Sequence, residues 1–137
     1  MFLRGCDHIV HAGDVGDPEI LRELSKIASL TVVRGNTDKG HWAEALPETA
    51  MLEFGPTYIY VVHDLAALDI SPKAAGVSVV VYGHSHQPLI DRRDGVIYVN
   101  PGSAGPRRFR LPIAMAELTI TNQKHLSPRI IELEVNE

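Results

Sequence analysis

Four short segments carry the side chains best suited to chemistry: Gly13-Asp14, Gly35-Asn36-Thr37-Asp38, His63-Asp64 and Gly83-His84-Ser85-His86. Carboxylate oxygen, amide oxygen and imidazole nitrogen make a borderline-hard donor set, suited to divalent Mn, Fe, Co, Ni or Zn. No thiolate belongs to it, which disfavours a soft-metal site. Singly, each segment has an ordinary explanation. Gly-Asp and Gly-Asn pairs commonly do no more than turn the chain, and a lone histidine at a strand end is more often a surface group than a ligand. Together, in this order and each after a strand-like run, they form a specific constellation. The two imidazoles of Gly-His-Ser-His follow an apolar run and can face the same side of a site.

Such side chains meet only if the elements before them end at one edge. In open α/β sheets ligands bind beyond the carboxyl ends of the strands. Residues 8–12 read as a short buried strand closed by a Gly-Asp turn. Asp17 is a helix N-cap with Pro18 at the first helical position. Ile20, Leu21, Leu24, Ile27 and Ala28 form one apolar stripe that should face a sheet. Residues 31–34 are β-rich and stop at Gly35, so strand, helix and strand make a right-handed βαβ unit. A β-branched and aromatic run, 58–62, precedes His63, and a helix-compatible stretch follows at 65–68. The almost wholly apolar run 77–82 predicts a strand covered on both faces. Leu89-Ile90, the turn Arg93-Asp94-Gly95 and residues 96–99 predict a hairpin. Two late strands are predicted at 113–120 and 130–135. The fold class is α/β, parallel early and antiparallel late. The glycines before Asp14, Asn36 and His84 are expected to supply the tight turns that aim these side chains outward.

Gly13-Asp14-Val15-Gly16-Asp17, Gly35-Asn36-Thr37-Asp38, His63, Gly83-His84-Ser85-His86 and Asn100-Pro101-Gly102-Ser103 together resemble the calcineurin-like metallophosphoesterase superfamily. The likeness is greatest to its small bacterial and archaeal phosphodiesterase branch, the YfcE-like or MJ0936-like group, and spans essentially the whole chain. The resemblance implies a β-sandwich with flanking helices that holds two metals. It makes Asp14 the bridging ligand, gives Asn36, His63 and His84 to one metal and His86 to the other, and places Asn100-Pro101-Gly102-Ser103 in a loop near the site. The implied activity is metal-dependent phosphodiester hydrolysis, with a nucleotide among the candidate substrates and a metal-activated hydroxide as nucleophile. Manganese is the expected metal, with Ni, Fe, Co or Zn as alternatives, as one or two ions. Asp38 is placed to orient Asn36 or a ligand from behind, and Arg107 and Arg108 to steady the phosphate through bidentate contacts.

The chain departs from the family pattern at its start. The family's first motif, a strand ending in Asp-x-His, has no match: Asp7 and His8 are adjacent and open the strand leading to Asp14. The expectation is an N-terminally shortened domain without the first strand, lacking two ligands of one metal. Loss of a central strand would expose sheet edges, so a homo-oligomer or strand exchange is expected. Thr37 replaces the histidine of the protein-phosphatase branch and cannot protonate a leaving alkoxide, which favours substrates with good leaving groups. Asp64 stands where the family usually has glycine. His11 is expected to pack within its strand rather than bind metal, and Trp42 to serve packing.

The chain has 137 residues, 45% hydrophobic and 22% charged, and the reading takes residues 1–137 as one soluble domain. A net charge of -4 argues against a general nucleic-acid or anionic-membrane binder. No apolar stretch approaches the roughly 20 residues of a membrane helix, and Met1–Cys6 lacks the apolar core of a signal peptide. The single cysteine, Cys6, excludes an intrachain disulfide and fits a cytoplasmic location. The alternative to a small-molecule phosphodiesterase is a non-catalytic scaffold or degenerate phosphoesterase that binds a protein partner, as the retromer subunit of this fold does. The missing motif favours the scaffold; the intact segments around Asn36 and His84 oppose it.

Overall fold

The computed structural model describes residues 6–15, 17–36, 38–85, 87–102, 114–121 and 125–132. Strand β1 (His8–His11) runs through helix α1 (Pro18–Ser25) to the parallel strand β2 (Ser29–Val32). Asp17 caps α1 by accepting the Glu19 amide at 2.9 Å, with Pro18 in the first turn, as the N-cap reading predicts. The apolar stripe of α1 is only half covered. No residue of the helix is fully buried, and Ile20 is 43% exposed.

A short helix α2 (His41–Glu44) leads to five further strands: β3 (Thr49–Phe54), β4 (Thr57–Val62), β5 (Val79–Val81), β6 (Leu89–Arg93) and β7 (Val96–Asn100). They form one sheet in the order β3-β4-β5-β7-β6, with β4, β5 and β7 parallel and the two edge strands antiparallel. The 65–68 stretch is a single 3-10 turn, Leu65–Ala67, whose Ala66 amide donates to Asp64 at 3.0 Å. The predicted hairpin closes at Asp94-Gly95, both with left-handed φ of 51° and 79°, the conformation that a two-residue turn between twisted strands requires.

Sequence reading passed over β3. Its residues alternate strictly between exposed and half-buried, but Ala50, Met51, Leu52 and Glu53 are good helix formers. Pairing along the whole of β4 overrides that propensity. The last pair, β8 (Ala114–Thr121) and β9 (His125–Glu132), is antiparallel. β9 starts five residues before the predicted 130, because Leu126, Ser127 and Pro128 extend the ladder opposite β8.

Both faces of the central strands are covered. On one, Ile59, Val61, Val79, Ile97 and Val99 pack with Ala12 and Val33 from the ends of β1 and β2, and with Leu118, Ile120 and Leu126. On the other, Tyr60, Val62, Val80, Tyr82 and Tyr98 meet Leu65, Leu68 and Ile70. The five-stranded sheet is therefore one layer of a sandwich. The second layer is split into two pairs, β1-β2 and β8-β9, not hydrogen-bonded to each other among the described residues. Among the described residues no helix is long and apolar enough to cross a membrane.

Val79, fully buried on the middle strand, reports on this packing. Val79→Ala removes two methyl groups and leaves a cavity between the layers, a loss of about 2 kcal/mol. The expected result is a lower urea midpoint with an unchanged denaturant slope.

Candidate functional site

Parallel pairing brings the carboxyl ends of β1, β2, β4, β5 and β7 toward one edge, and the four chemistry-bearing segments follow β1, β2, β4 and β5. The turns there differ from expectation in one respect. Gly13 has φ 103°, but Gly35 and Gly83 are not left-handed. Asp14 (φ 58°), beside Gly13, and His84 (φ 72°) adopt that conformation themselves. Asp94, in the hairpin turn, is the third non-glycine case among the described residues. A non-glycine residue held there costs on the order of 1–3 kcal/mol and persists only where surrounding contacts enforce it.

Gly35 serves closeness rather than φ. A Cβ at Gly35 would fall on the amide nitrogen and carboxylate of Asp14, and one at Gly13 would lie 2.6 Å from His63 Nδ1. The two turns thus pack backbone against backbone, which only glycine permits.

His63 is buried at the centre. Its Nδ1 lies 2.7 Å from the Ala12 carbonyl oxygen, and a carbonyl only accepts, so Nδ1–H donates and the neutral ring keeps its lone pair on Nε2. That nitrogen faces two oxygens, Asn36 Oδ1 at 2.8 Å and Asp14 Oδ2 at 3.4 Å. His84 Nδ1 approaches the same Asn36 oxygen at 3.2 Å, and the two imidazoles meet edge to face at 5.3 Å. His84 Nδ1–H can donate to that oxygen, whereas the His63 Nε2 lone pair facing Asn36 Oδ1 and Asp14 Oδ2 is satisfied by an added proton, by rotation of the Asn36 amide, or by a cation between them.

The donor set and spacing fit a divalent ion. Ligand bonds of about 2.1 Å place neighbouring donors roughly 3.0 Å apart in an octahedron and 3.4 Å apart in a tetrahedron; the separations here are 2.8–3.4 Å. The Asp14 and His63 side chains are only 4% and 8% exposed, whereas Asn36 and His84 are open to solvent, so the cradle has a buried floor and an accessible mouth. Among the described residues no three His, Cys, Asp or Glu side chains alone are grouped to hold an ion. The Asn36 amide oxygen is needed to complete the set.

Two buried polar side chains brace the cradle. Asp38 accepts the Gly35 amide at 2.8 Å and its own amide donates to the Gly35 carbonyl at 3.3 Å, holding the turn that carries Asn36. Asn100, 1% exposed, donates through Nδ2 to the Gly83 carbonyl at 3.2 Å and to Ser85 Oγ at 3.0 Å, and its Oδ1 accepts the Gly102 amide at 2.9 Å. One side chain thus joins the loop after β7 to the loop bearing His84. Sequence reading placed Asn100 near the site but missed this role. It missed the Ala12 carbonyl too, because any residue supplies one. His11 Nδ1 accepts the Gly13 amide at 3.2 Å. His86, Thr37, Ser103, Arg107 and Arg108 lie outside the described residues.

The chain belongs to the calcineurin-like phosphoesterase superfamily, whose domain matches residues 2–123. This family uses divalent metals. The chain is 34% identical to the probable metallophosphoesterase MJ0623 of Methanocaldococcus jannaschii, over 93% of this chain and 67% of that protein. It is 23% identical to the phosphodiesterase MJ0936 of the same organism, over 69% and 65% of the two chains. Two solved structures share the fold. One is a predicted phosphoesterase of Streptococcus pneumoniae (TM-score 0.73, 24% identity, 93% of this chain and 75% of that one). The other is Vps29 of Entamoeba histolytica complexed with zinc (TM-score 0.70, 21% identity, 92% and 82%).

Two predictions follow from the bracing. Asn100→Ala leaves Gly83 O, Ser85 Oγ and the Gly102 amide without this partner, a stability loss of about 2 kcal/mol. Titration calorimetry should also show Mn²⁺ affinity falling about 10- to 100-fold, as for other residues that hold a ligand from behind. The second concerns pH. Burial lowers the His11 pKa below the usual histidine value, Asp38 and Asp14 partly oppose this, and His63 adds to it. The unfolded chain therefore binds the His11 proton first, so this contribution is intact above about pH 6.5 and is lost as pH falls toward the folded value. In chelator, the urea midpoint of the wild type should drop more between pH 7.5 and pH 5.5, both approximate set points, than that of His11→Gln.

Proposed function

We propose that the chain is a metal-dependent phosphodiesterase acting on a small-molecule phosphodiester, a nucleotide among the candidates. The observation that carries this reading is the convergence of Asp14, Asn36, His63 and His84 donor atoms from four turns onto one point. Divalent ions supply such a site with stabilisation of phosphoryl charge and with a nucleophile from water at neutral pH. Manganese is the metal we assign first; Ni, Fe, Co and Zn share the donor preference.

The residues divide the work. Asp14 brings the cradle's single negative charge and would bridge to a second ion, for which His86 is the candidate ligand. His63, its tautomer fixed by the Ala12 carbonyl, presents Nε2 as a rigid donor, and His84 and Asn36 close the accessible side. One carboxylate against a dication leaves a net positive site, complementary to the single negative charge of a phosphodiester. Asp38 positions the Asn36 turn, and Arg107 would grip the phosphate in bidentate fashion. With Thr37 in place of a proton donor, substrates with good leaving groups are preferred. We place the enzyme in the cytoplasm as a single-domain homo-oligomer.

The test is hydrolysis of bis(p-nitrophenyl) phosphate with Mn²⁺ or Ni²⁺. Chelation should abolish the activity, and Asp14→Ala should lower kcat/KM by about 100-fold or more. Activity that survives chelation, or an Asp14→Ala protein as active as the wild type, overturns the reading. The half-covered apolar stripe of α1 favours a second reading, a scaffold that binds a protein partner. Purified protein with neither bound transition metal nor activity would support that one.

A further inference from the structure

The residue that follows His63 is acidic, and the fold fixes where its charge stands. Asp64 leaves the end of β4 with extended backbone, φ -113° and ψ 118°. The chain is pinned on both sides of it. The His63 carbonyl accepts the Gly83 amide at 2.9 Å, and the Asp64 carbonyl accepts the Ala67 amide at 2.9 Å. Asp64 Oδ1 accepts the Ala66 amide at 3.0 Å and so caps the turn Leu65–Ala67. Leu65 packs against the Tyr60, Tyr82 and Tyr98 face of the sheet, which anchors that turn in the core.

Capping alone does not call for a charge. Serine, threonine or asparagine caps a turn as well as aspartate does. The charge stands close to the metal cradle: with adjacent Cα atoms about 3.8 Å apart, covalent geometry keeps the Asp64 carboxylate within roughly 11 Å of His63 Nε2. Among the described residues no cation pairs with it. Arg34, just before the Gly35 turn, is committed to Glu48 at 2.8 Å.

We propose that Asp64 tunes the cradle toward singly charged phosphodiesters and against doubly charged phosphomonoesters. The inference rests on the phosphodiesterase reading. The Asp14 carboxylate against a dication leaves a positive site, and such a site by itself attracts the doubly charged ester more strongly. A fixed negative charge at roughly 11 Å opposes the doubly charged ester twice as much as the singly charged one. At an effective dielectric of about 20–40, the extra unit of charge changes the ratio of the two about three- to tenfold. The same carboxylate attracts the dication and so strengthens metal binding.

Asp64→Asn and Asp64→Ser remove the charge and keep a cap. With Mn²⁺ at about 0.01 M salt, where the Debye length is about 30 Å, both should raise kcat/KM for p-nitrophenyl phosphate relative to bis(p-nitrophenyl) phosphate about three- to tenfold. The two esters share a leaving group. The gain should vanish at about 1 M salt, where the Debye length is about 3 Å. Two readouts need no turnover. Calorimetry should show Mn²⁺ binding weakened about tenfold at low salt. In the Mn²⁺-loaded variants inorganic phosphate, doubly charged above about pH 8, should gain affinity over dimethyl phosphate, followed by water-proton relaxation. Unchanged ratios, a shift in only one variant, or a gain indifferent to salt overturns the proposal. A wild type that binds Mn²⁺ and hydrolyses neither ester overturns the phosphodiesterase reading instead, and the ratio of anion affinities then decides on Asp64. A wild type that binds no Mn²⁺ overturns both.

Discussion

The buried hydrogen bond from His63 Nδ1 to the Ala12 carbonyl, 2.7 Å long and spanning 51 residues of sequence, governs the arrangement of this molecule. It joins the end of β4 in one layer to the end of β1 in the other. It also selects the tautomer that leaves the Nε2 lone pair available as an acceptor or ligand. The surrounding glycines follow from it. With Gly13 and Gly35 bare, the two turns approach until Asp14 and Asn36 both reach that nitrogen; a single Cβ at either position would push them apart.

Much of this was legible in the sequence. The Asp17-Pro18 helix start and the Asp94-Gly95 turn depend on nearest neighbours and appear as read, and the apolar run 77–82 holds a strand, shortened to Val79–Val81. The residue types at Asp14, Asn36, His63 and His84 marked the strand ends, because parallel strands deliver their carboxyl ends to one edge. β3 was hidden because its helix-forming residues acquire strand geometry only opposite β4. The left-handed backbone at Asp14 and His84 was not foreseen, because the tight turns were attributed to the preceding glycines, of which only Gly13 is itself left-handed. The clasp made by Asn100 was invisible for another reason: its partners are two backbone groups and a serine hydroxyl brought near by folding.

The exposed edges of the molecule are not alike. β6 presents Asp91, Arg92 and Arg93 along an edge of the five-stranded sheet, and β3 presents Glu53 at the opposite edge. Charges of this kind discourage pairing with other chains. β1 and β8 instead set His8, Val10, Leu118 and Ile120 beside Val79 and Val99 of the sheet, with Asp7 and Glu117 at the border.

The cradle couples this fold to its chemistry through strain. Two left-handed residues and the His63 Nε2 lone pair facing carboxylate and amide oxygens are each unfavourable, and they survive because Asp38, Asn100 and the Ala12 carbonyl hold the turns from behind. On the proposed reading, a cation would satisfy these lone pairs without moving the turns, so its binding energy would not be consumed in reorganisation. By linkage it would then stabilise the folded chain. The braces keep the donors within 2.8–3.4 Å of one another, and they would convert ion binding into resistance to unfolding. Loosening a brace should weaken both together, whereas trimming the core at Val79 should lower stability and leave the donor geometry intact.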